Sequence, residues 1–322
     1  MRLGAAFWLQ QTGWPGLRDA CLAAERAGWD SLWVDDHLLN DEGDPTDPKL
    51  EGWATLSALA VLTERVRLGL LVAANTFRAP GLTAKLATTL DHLSAGRAVL
   101  GLGGGWFERE HDAFGLDFGT GFGERLDRLD EAVGLLRRLL DGETVTHEGG
   151  FYSMHEAVCT PRPVQARLPI LIGGSGPTKT LRTTARYADM WNGFGSPERI
   201  AQVGALLRER CAEVGRPFEA IERTVTVDAV VRDTTAAALA AWAETARRHD
   251  LDGRLGSDGS DRGLSVGGPV TEVAPYLARY RDLGVGEVIV MFRAPFDVET
   301  LERVGELRSA VADIAPEVSS PY

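Results

Sequence analysis

The stretch Pro169-Ile170-Leu171-Ile172-Gly173-Gly174-Ser175-Gly176 joins a short apolar run to a glycine-rich turn, and a helical pattern over residues 180–188 follows it. An apolar run of this length that ends in a turn signal is typical of a buried strand in a parallel sheet. The same order of strand, turn and helix recurs along the whole chain. The stretch therefore predicts one β/α unit of a repeated parallel architecture.

Eight such units follow one another. The predicted strands are residues 3–9, 31–34, 66–73, 97–102, 169–172, 189–193, 224–231 and 287–292. The predicted helices are residues 16–28, 53–62, 82–93, 126–140, 180–188, 200–214, 271–283 and 298–314. Open doubly wound sheets rarely sustain this many regular units, so the pattern predicts a single α/β domain over residues 1–322, a closed (β/α)8 TIM barrel.

Two stretches interrupt the repeat and are predicted to be insertions rather than separate domains. Residues 144–156 predict a hairpin that turns at Gly149-Gly150. Residues 233–263 predict a helix that is followed by a loop rich in Gly, Ser and Asp.

The composition limits the classes of partner. The 322 residues include 34 Lys and Arg against 46 Asp and Glu, for a net charge of −12, which argues against nucleic acid and anionic membranes as partners. No apolar run is long enough to span a bilayer, and the N-terminus lacks a signal-peptide pattern. The three cysteines form no C-x-x-C pair, which disfavours a disulfide framework. We expect a reduced, cytoplasmic protein that acts on a small molecule.

The glycine-rich turn after residue 172 predicts a phosphate site. Glycines let backbone N–H groups approach an anion, and the N-terminus of the following helix carries partial positive charge. Thr178, Lys179 and Thr180 add further donors. The turn departs from a P-loop at Thr178 and from a nucleophile elbow at Pro177. A plain βα turn with a helix cap is the alternative.

A second glycine-rich strand end is Gly101-Leu102-Gly103-Gly104-Gly105-Trp106. The dinucleotide-binding fingerprint needs glycine where this chain has Trp106, so a Rossmann site is not favoured. Gly103 and Gly104 instead offer a flat backbone surface for a planar ring, and a simple turn is the alternative.

Asp36 and His37 come directly after the second predicted strand. Polar residues at the C-terminal ends of barrel strands are typical of active sites, and histidine exchanges protons near neutral pH. We hypothesise that His37 is the general acid or base and that Asp36 orients it. Asp35 should point elsewhere, because side chains alternate along a strand. A hydrogen-bonded mouth residue without a chemical role is the alternative.

Several aromatic residues lie in or beside the strand ends, where they could line a pocket for a ring or a substrate. They are Phe7, Trp8, Trp33, Trp106 and Trp191. Packing in the core is the alternative for each. The remaining histidines show no metal-ligand spacing, so no metal is predicted.

At these motifs the sequence resembles the bacterial luciferase-like superfamily, especially its coenzyme F420-dependent oxidoreductases. The resemblance extends over nearly the whole chain, and FMN-dependent members share most of its motifs. The residues that carry it are 31–37 (SLWVDDH), 66–69 (VRLG), 90–97 (LDHLSAGR), 101–108 (GLGGGWFE), 169–174 (PILIGG) and 188–193 (ADMWNG).

The resemblance implies a TIM barrel with insertions that binds coenzyme F420 at the C-terminal mouth and carries out hydride transfer there. It implies that residues 173–176 face the cofactor phosphate and that Gly103 and Gly104 lie near the ring system. It places Asp36 and His37 on the ring and substrate side. It also implies a non-prolyl cis peptide behind the ring, between Leu71 and Val72, and a homodimer.

Two departures bear on the substrate and on the phosphate site. The sugar-phosphate dehydrogenases of that superfamily carry an acidic residue where this chain has Trp106, a departure from their substrate and acid–base pattern. Barrel phosphate sites usually follow strands 7 and 8, whereas the Gly173 turn follows the fifth predicted strand.

Two other functions stay open at this point. An FMN-dependent monooxygenase on the same barrel would use a reduced flavin and dioxygen. A non-catalytic protein that binds a phosphorylated ligand is less favoured, because a polar strand end at Asp36 and His37 is typical of catalysis. The departure at Thr178 and the barrel pattern also disfavour a nucleotide hydrolase.

Overall fold

Eight parallel strands form a closed barrel in the computed structural model, which describes residues 1–251 and 265–316. Each strand pairs in parallel with its sequence neighbours, and the eighth pairs with the first, so the predicted (β/α)8 TIM barrel is confirmed. The strands are β1 (Arg2–Phe7), β2 (Ser31–Val34), β3 (Arg67–Leu70), β4 (Ala98–Gly103), β5 (Ile170–Gly173), β6 (Met190–Phe194), β7 (Glu222–Val227) and β8 (Glu287–Phe292).

One helix follows each strand and packs on the outside of the barrel. Proline lies in the first turn of α1, α3 and α6, where its missing N–H costs no helical hydrogen bond. The predicted helix 298–314 is divided at Arg303 into a short helix, Val298–Glu302, and α8. The eight are α1 (Trp14–Ala27), α2 (Gly52–Leu62), α3 (Pro80–Leu93), α4 (Phe122–Leu140), α5 (Thr180–Tyr187), α6 (Pro197–Glu213), α7 (Val270–Asp282) and α8 (Val304–Asp313).

The insertions add elements at the edges of this frame. Strands Val145–Glu148 and Ser153–Ala157 form the predicted antiparallel hairpin. Helix Thr235–His249 forms within the predicted 233–263 insertion, whose residues from 252 onward lie outside the described residues. Helix Glu108–Phe114, between β4 and α4, was not predicted.

The predicted strand 224–231 is broken at Asp228. Its second part, Ala229–Val231, leaves the barrel and pairs in parallel with Val266–Gly268. Ala73–Ala74, which follows β3, pairs with the end of β4, and two 3-10 turns complete the described elements, at Asn75–Phe77 and Phe218–Ala220.

Inside the barrel, Trp33 fills the largest share of the space. It is fully buried, and its indole N–H donates to Ser31 Oγ at 2.7 Å. A Cβ at Gly69 would lie 2.6 Å from Trp33 Cζ3, so β3 has no room for a side chain at this one position, where it faces the indole. Ala6, Leu71, Val99, Leu171, Met190 and Ile289 form an apolar cluster with Trp33.

Ion pairs close the N-terminal end of the barrel. Arg67 Nη1 lies 3.2 Å from Glu222 Oε1, and Arg2 Nε lies 3.5 Å from Glu287 Oε2. The Glu287 side chain is fully buried and also accepts from Ser31. The opposite, C-terminal end is therefore where a ligand can enter. None of the helices in the described part of the chain is both long and apolar enough to cross a membrane.

We predict that Gly69→Ala destabilises the protein by about 1–3 kcal/mol, because the added methyl meets a rigid indole and the Val99 carbonyl. Urea unfolding measures the change in the free energy of unfolding. Gly204→Ala is the matched control, because a Cβ there meets nothing within 4 Å on helix α6, and it should stabilise by about 0.5–1 kcal/mol. Equal effects of the two substitutions would contradict this account of the interior.

Candidate active site

The mouth, which we define as the C-terminal end of the barrel, holds a histidine–carboxylate pair in which the carboxylate is buried and the histidine partly buried. His37 follows β2, and its Nδ1 lies 3.0 Å from Oε1 of Glu110 on helix Glu108–Phe114. The other oxygen, Oε2, accepts from the backbone N–H of Leu38 at 2.8 Å. Because a carboxylate can only accept here, Nδ1 carries the hydrogen and Nε2 is the nitrogen that gains or loses a proton.

The surroundings of His37 favour its charged form. Burial lowers the pKa of His37, but the charge of Asp41 and the hydrogen bond and charge of Glu110 outweigh it, so the pKa lies above its ordinary value. Trp106 and Phe107 pack edge-on against the imidazole, with ring centroids at 5.3 and 5.9 Å. The ring is thus held by a carboxylate on one side and by aromatic groups beside it.

Asp36 does not orient His37, so that part of the sequence hypothesis was wrong. Adjacent residues of an extended chain point in opposite directions, and Asp36 turns toward the segment after β3. There it accepts from both terminal nitrogens of Arg78, at 2.7 and 3.0 Å, and from the Ala74 N–H at 3.0 Å. Burial raises the pKa of Asp36 to about 6, although Arg78 and Ala74 lower it.

Glycine backbone and Val72 line the floor of the mouth on the side of β3, β4 and β5. The Leu71–Val72 peptide is cis, as the resemblance implied. A Cβ at Gly103 would lie 2.7 Å from Val72 Cγ2, and one at Gly173 would lie 3.0 Å from Val72 Cγ1. These glycines therefore let two strands approach the valine closely, which leaves backbone and one apolar side chain as the floor.

The turn after β5 has the features of an anion site. Gly174 adopts a positive φ of 119°, and its N–H donates to Asn192 O at 3.1 Å. A Cβ at Gly176 would lie 2.7 Å from Thr180 Oγ1. Ser175 is 7% exposed, and its Oγ has no hydrogen-bond partner among the described residues. A buried, unpartnered hydroxyl beside the N-terminus of α5 fits an anionic ligand.

The three residues that complete this turn differ in their contacts. Thr180 is buried at the start of α5, and Thr178 is exposed. Lys179 Nζ donates to Gly123 O at 2.9 Å and to Asp127 Oδ2 at 2.6 Å. Its ammonium is engaged with helix α4, so this geometry does not support the prediction that Lys179 donates to a phosphate.

Two of the aromatic residues predicted to line the pocket do not lie at the mouth. Phe7 and Trp191 are fully buried in the layer between the barrel and its helices, because their strand positions point outward. Phe7 stacks on Phe292 at 5.5 Å, and the Trp191 indole N–H donates to Gly174 O at 2.8 Å. The pocket prediction was wrong for both, and Trp191 supports the anion-site turn from behind.

The other aromatic residues of that set are divided between interior and mouth. Trp33 lies inside the barrel, as described above. Trp8 follows β1 at the mouth, where its indole N–H donates to Asp41 Oδ1 at 3.2 Å. Trp106 is 37% exposed beside His37.

Sequence reasoning missed further charged groups at the mouth. Arg293 follows β8, and its Nε lies 2.7 Å from Glu42 Oε2, while its Nη1 contacts Asp228. Lys49 is paired with Asp35. The position of Arg293 immediately after an apolar strand was the available signal. Within residues 1–251 and 265–316, no group of three or more His, Cys, Asp or Glu side chains has a metal-binding arrangement.

A profile of the luciferase-like monooxygenase family matches residues 4–286. The chain belongs to this family. Its (β/α)8 barrel therefore has the architecture of luciferase-like proteins.

Named relatives match part of the chain. An F420-dependent glucose-6-phosphate dehydrogenase of Microbacterium testaceum is 39% identical over 193 residues, which cover 59% of this chain and 55% of the relative. The pyrimidine monooxygenase RutA of Methylobacterium radiotolerans is 33% identical over 202 residues, which cover 61% and 51%. The chain thus spans about half the length of these two relatives.

A solved structure extends the comparison to the whole fold. An F420-dependent secondary alcohol dehydrogenase in complex with an F420-acetone adduct matches with a TM-score of 0.80 and 20% identity. The match covers 97% of this chain and 100% of that one. At this identity the likeness concerns the fold alone.

We predict that Glu110→Gln lowers the pKa of His37, because it removes the charge that, together with Asp41, raises that pKa against the effect of burial. An NMR titration of the histidine ring signals measures the shift, with His37→Ala used to assign the signal. Glu108→Gln is the control, since it neutralises an exposed carboxylate on the same helix and should leave the titration unchanged. An unchanged His37 titration in Glu110→Gln would contradict the assigned role of the carboxylate.

Proposed function

We propose that this protein is an oxidoreductase that transfers a hydride between the deazaflavin coenzyme F420 and a small organic substrate. Three features that lie together at the barrel mouth carry the proposal. They are the glycine-rich turn with the unpartnered Ser175 hydroxyl, the floor of glycine backbone and Val72, and the His37–Glu110 pair. The names of relatives add support, because F420-dependent dehydrogenases are 36–39% identical over the matched segments.

The residues at the mouth fit such a cofactor. Ser175 Oγ and the backbone N–H groups at the start of α5 would hold its phosphate. Val72, beside Leu71, and the glycine backbone at Gly103 and Gly104 would support its planar ring. Coenzyme F420 supplies or accepts the hydride when it is bound.

His37 would donate or accept the proton that is transferred along with the hydride. Reduction of a carbonyl places a proton on oxygen, and dehydrogenation of an alcohol removes one. Glu110 fixes Nδ1–H and so leaves Nε2 as the atom that gives or takes this proton. Asp36 would act at a distance from the proton, by holding Arg78 and the Ala74 backbone after β3.

An FMN-dependent monooxygenase that uses reduced flavin and dioxygen is the second candidate. The identity of 33% to a relative named pyrimidine monooxygenase favours it, and the anion turn would accept the FMN phosphate equally well. A non-catalytic protein that binds a phosphorylated ligand is less favoured, because such a role does not require a histidine–carboxylate pair.

Titration of the purified protein with coenzyme F420 and, separately, with FMN is the decisive test. We expect tight binding of F420, seen as a change in cofactor fluorescence, and weak binding of FMN. Ser175→Ala should raise the Kd for F420 by about tenfold or more, because it removes a hydrogen bond to a charged group.

His37→Ala is the matched variant in the same experiment. It should leave the Kd for F420 nearly unchanged and slow turnover by about 10²–10⁴-fold, as expected for a lost acid–base group. Tight binding of FMN alone would contradict the deazaflavin assignment and make oxygen uptake the next measurement. Unchanged turnover in His37→Ala would remove the proton-transfer role.

We also propose that the protein forms a homodimer through α2 and α3. Helix α2 contains no charged residue, and Val61 and Leu62 at its end are 63% and 44% exposed. Leu82 and Leu93 on the adjacent α3 are 54% and 42% exposed. A helix without a charged face is typically covered on all sides. A second copy of the chain would cover the exposed side of α2.

Sedimentation equilibrium tests the dimer. We expect a mass near twice the 34.8 kDa of one chain, and Val61→Lys should raise the dimer Kd by about tenfold or more, because it buries an unpaired charge. Val214→Lys is the control, since Val214 is also exposed but lies at the end of α6. A monomeric wild type, or no effect of Val61→Lys, would contradict the proposed interface.

A further inference from the structure

We propose that His111 and Thr76 are positioning residues of the His37–Glu110 pair. Their hydrogen bond anchors the short helix that carries Glu110, and it thereby fixes the carboxylate that orients His37. The inference rests on the proposed role of His37 in proton transfer and adds two side chains to it. Both would act through Glu110 rather than on the substrate.

His111 is fully buried on helix Glu108–Phe114, and each of its ring nitrogens has a hydrogen-bond partner. Nδ1 lies 2.8 Å from the carbonyl oxygen of Phe107, and Nε2 lies 2.7 Å from Thr76 Oγ1. A carbonyl oxygen can only accept, so Nδ1 carries the hydrogen, and in the neutral ring Nε2 accepts from the Thr76 hydroxyl. The imidazole therefore joins its own helix to the 3-10 turn Asn75–Phe77 that follows β3.

Two phenylalanine rings hold the imidazole of His111 in place. The centroid of Phe77 lies 4.9 Å from that of the imidazole, and the centroid of Phe118 lies 4.6 Å from it. Phe77 belongs to the same 3-10 turn as Thr76, whereas Phe118 lies in the loop before α4. Close packing on two rings leaves the imidazole little freedom to rotate, so its nitrogens keep their partners.

Glu110 precedes His111 on the helix and connects it to a different strand end. The Glu110 side chain is 1% exposed, and its two oxygens bind His37 Nδ1 at 3.0 Å and the Leu38 N–H at 2.8 Å. A helix of seven residues is unstable on its own, so its tertiary contacts determine where it lies. The place of the Glu110 carboxylate therefore depends on the anchor that His111 makes to the segment after β3.

The contact between Thr76 and His111 also explains the third glycine of the strand end at residues 101–106. Gly105 adopts a positive φ of 75°, and a Cβ there would lie 2.7 Å from Thr76 Oγ1. This residue lies in the segment that joins β4 to helix Glu108–Phe114. A side chain at position 105 would displace the hydroxyl that His111 binds, which is why glycine is required there.

The pKa of His37 reports the position of Glu110 without any cofactor. Burial lowers that pKa, the charges of Asp41 and Glu110 and the hydrogen bond to Glu110 raise it, and Lys49 lowers it. Thr76→Val removes the hydroxyl and keeps a side chain of similar shape. We expect this substitution to lower the pKa of His37 in an NMR titration, because a displaced carboxylate stabilises the imidazolium less.

Two substitutions of His111 separate its two hydrogen bonds. His111→Asn puts an amide nitrogen near the position of Nδ1, so it keeps the bond to Phe107 but does not reach Thr76. His111→Gln puts an amide oxygen near the position of Nε2, so it keeps the bond to Thr76. We expect His111→Asn to lower the pKa of His37 as Thr76→Val does, and His111→Gln to retain most of the wild-type value. A histidine with only a packing role would not produce this difference.

His92→Ala is the matched control. His92 is exposed near the C-terminal end of α3, where its Nε2 lies 2.8 Å from the carbonyl oxygen of Arg162. Its replacement removes a histidine hydrogen bond outside the mouth and should leave the titration of His37 unchanged. Thermal unfolding shows whether each variant folds, and if His111→Asn does not fold, Thr76→Val decides the question.

An unchanged pKa of His37 in Thr76→Val would overturn the proposal, as would equal shifts in His111→Asn and His111→Gln. Titration with F420 separates this outcome from a failure of the proposed function. We expect every variant to bind F420 with a Kd within about threefold of the wild type, because the anion turn lies after β5. A wild type that does not bind F420 would contradict the proposed function, while the titration of His37 would still report the position of Glu110.

Discussion

The limited volume inside a closed eight-stranded barrel constrains every other feature of this protein. Such a barrel is just wide enough for its inward side chains to fill. Trp33 occupies much of that volume, so Gly69 must lack a side chain, and a Cβ at Gly4 would collide with Ser31 and Glu287. Because the lower part of the barrel is filled and closed by ion pairs, a ligand can be accommodated only above it, at the mouth.

Buried ion pairs then determine the shape of that mouth. Asp36 with Arg78 fixes the segment after β3, and Glu110 with His37 joins helix Glu108–Phe114 to the end of β2. Glu42 with Arg293 joins the loop after β2 to the end of β8. Taking charges out of water costs much of what their attraction contributes, so such pairs add little net stability. Their effect here is geometric, since each connects segments that are far apart in the sequence.

The sequence was sufficient for the barrel and insufficient for the contacts of the site. Strand and helix periodicities are local, so eight β/α units could be counted from residues alone. Glu110 and Arg78 were missed because their partners lie 73 and 42 positions away, a distance that no local pattern reports. Phe7 and Trp191 were misplaced because proximity to a strand end does not reveal which side of the strand a residue occupies, whereas alternation along each strand does.

The proposed anion site lies on a different side of the mouth from the ion pairs of Arg293. Barrel phosphate sites usually follow strands 7 and 8, yet the count of strands is confirmed and the glycine-rich turn follows β5. In this chain the ends of β7 and β8 carry Asp228 and Arg293, and Arg293 is already paired with both Asp228 and Glu42. A phosphate there would compete with these two carboxylates for the guanidinium of Arg293. At Ser175, by contrast, a buried hydroxyl beside a helix N-terminus has no hydrogen-bond partner among the described residues, which supports the proposed anion site after β5.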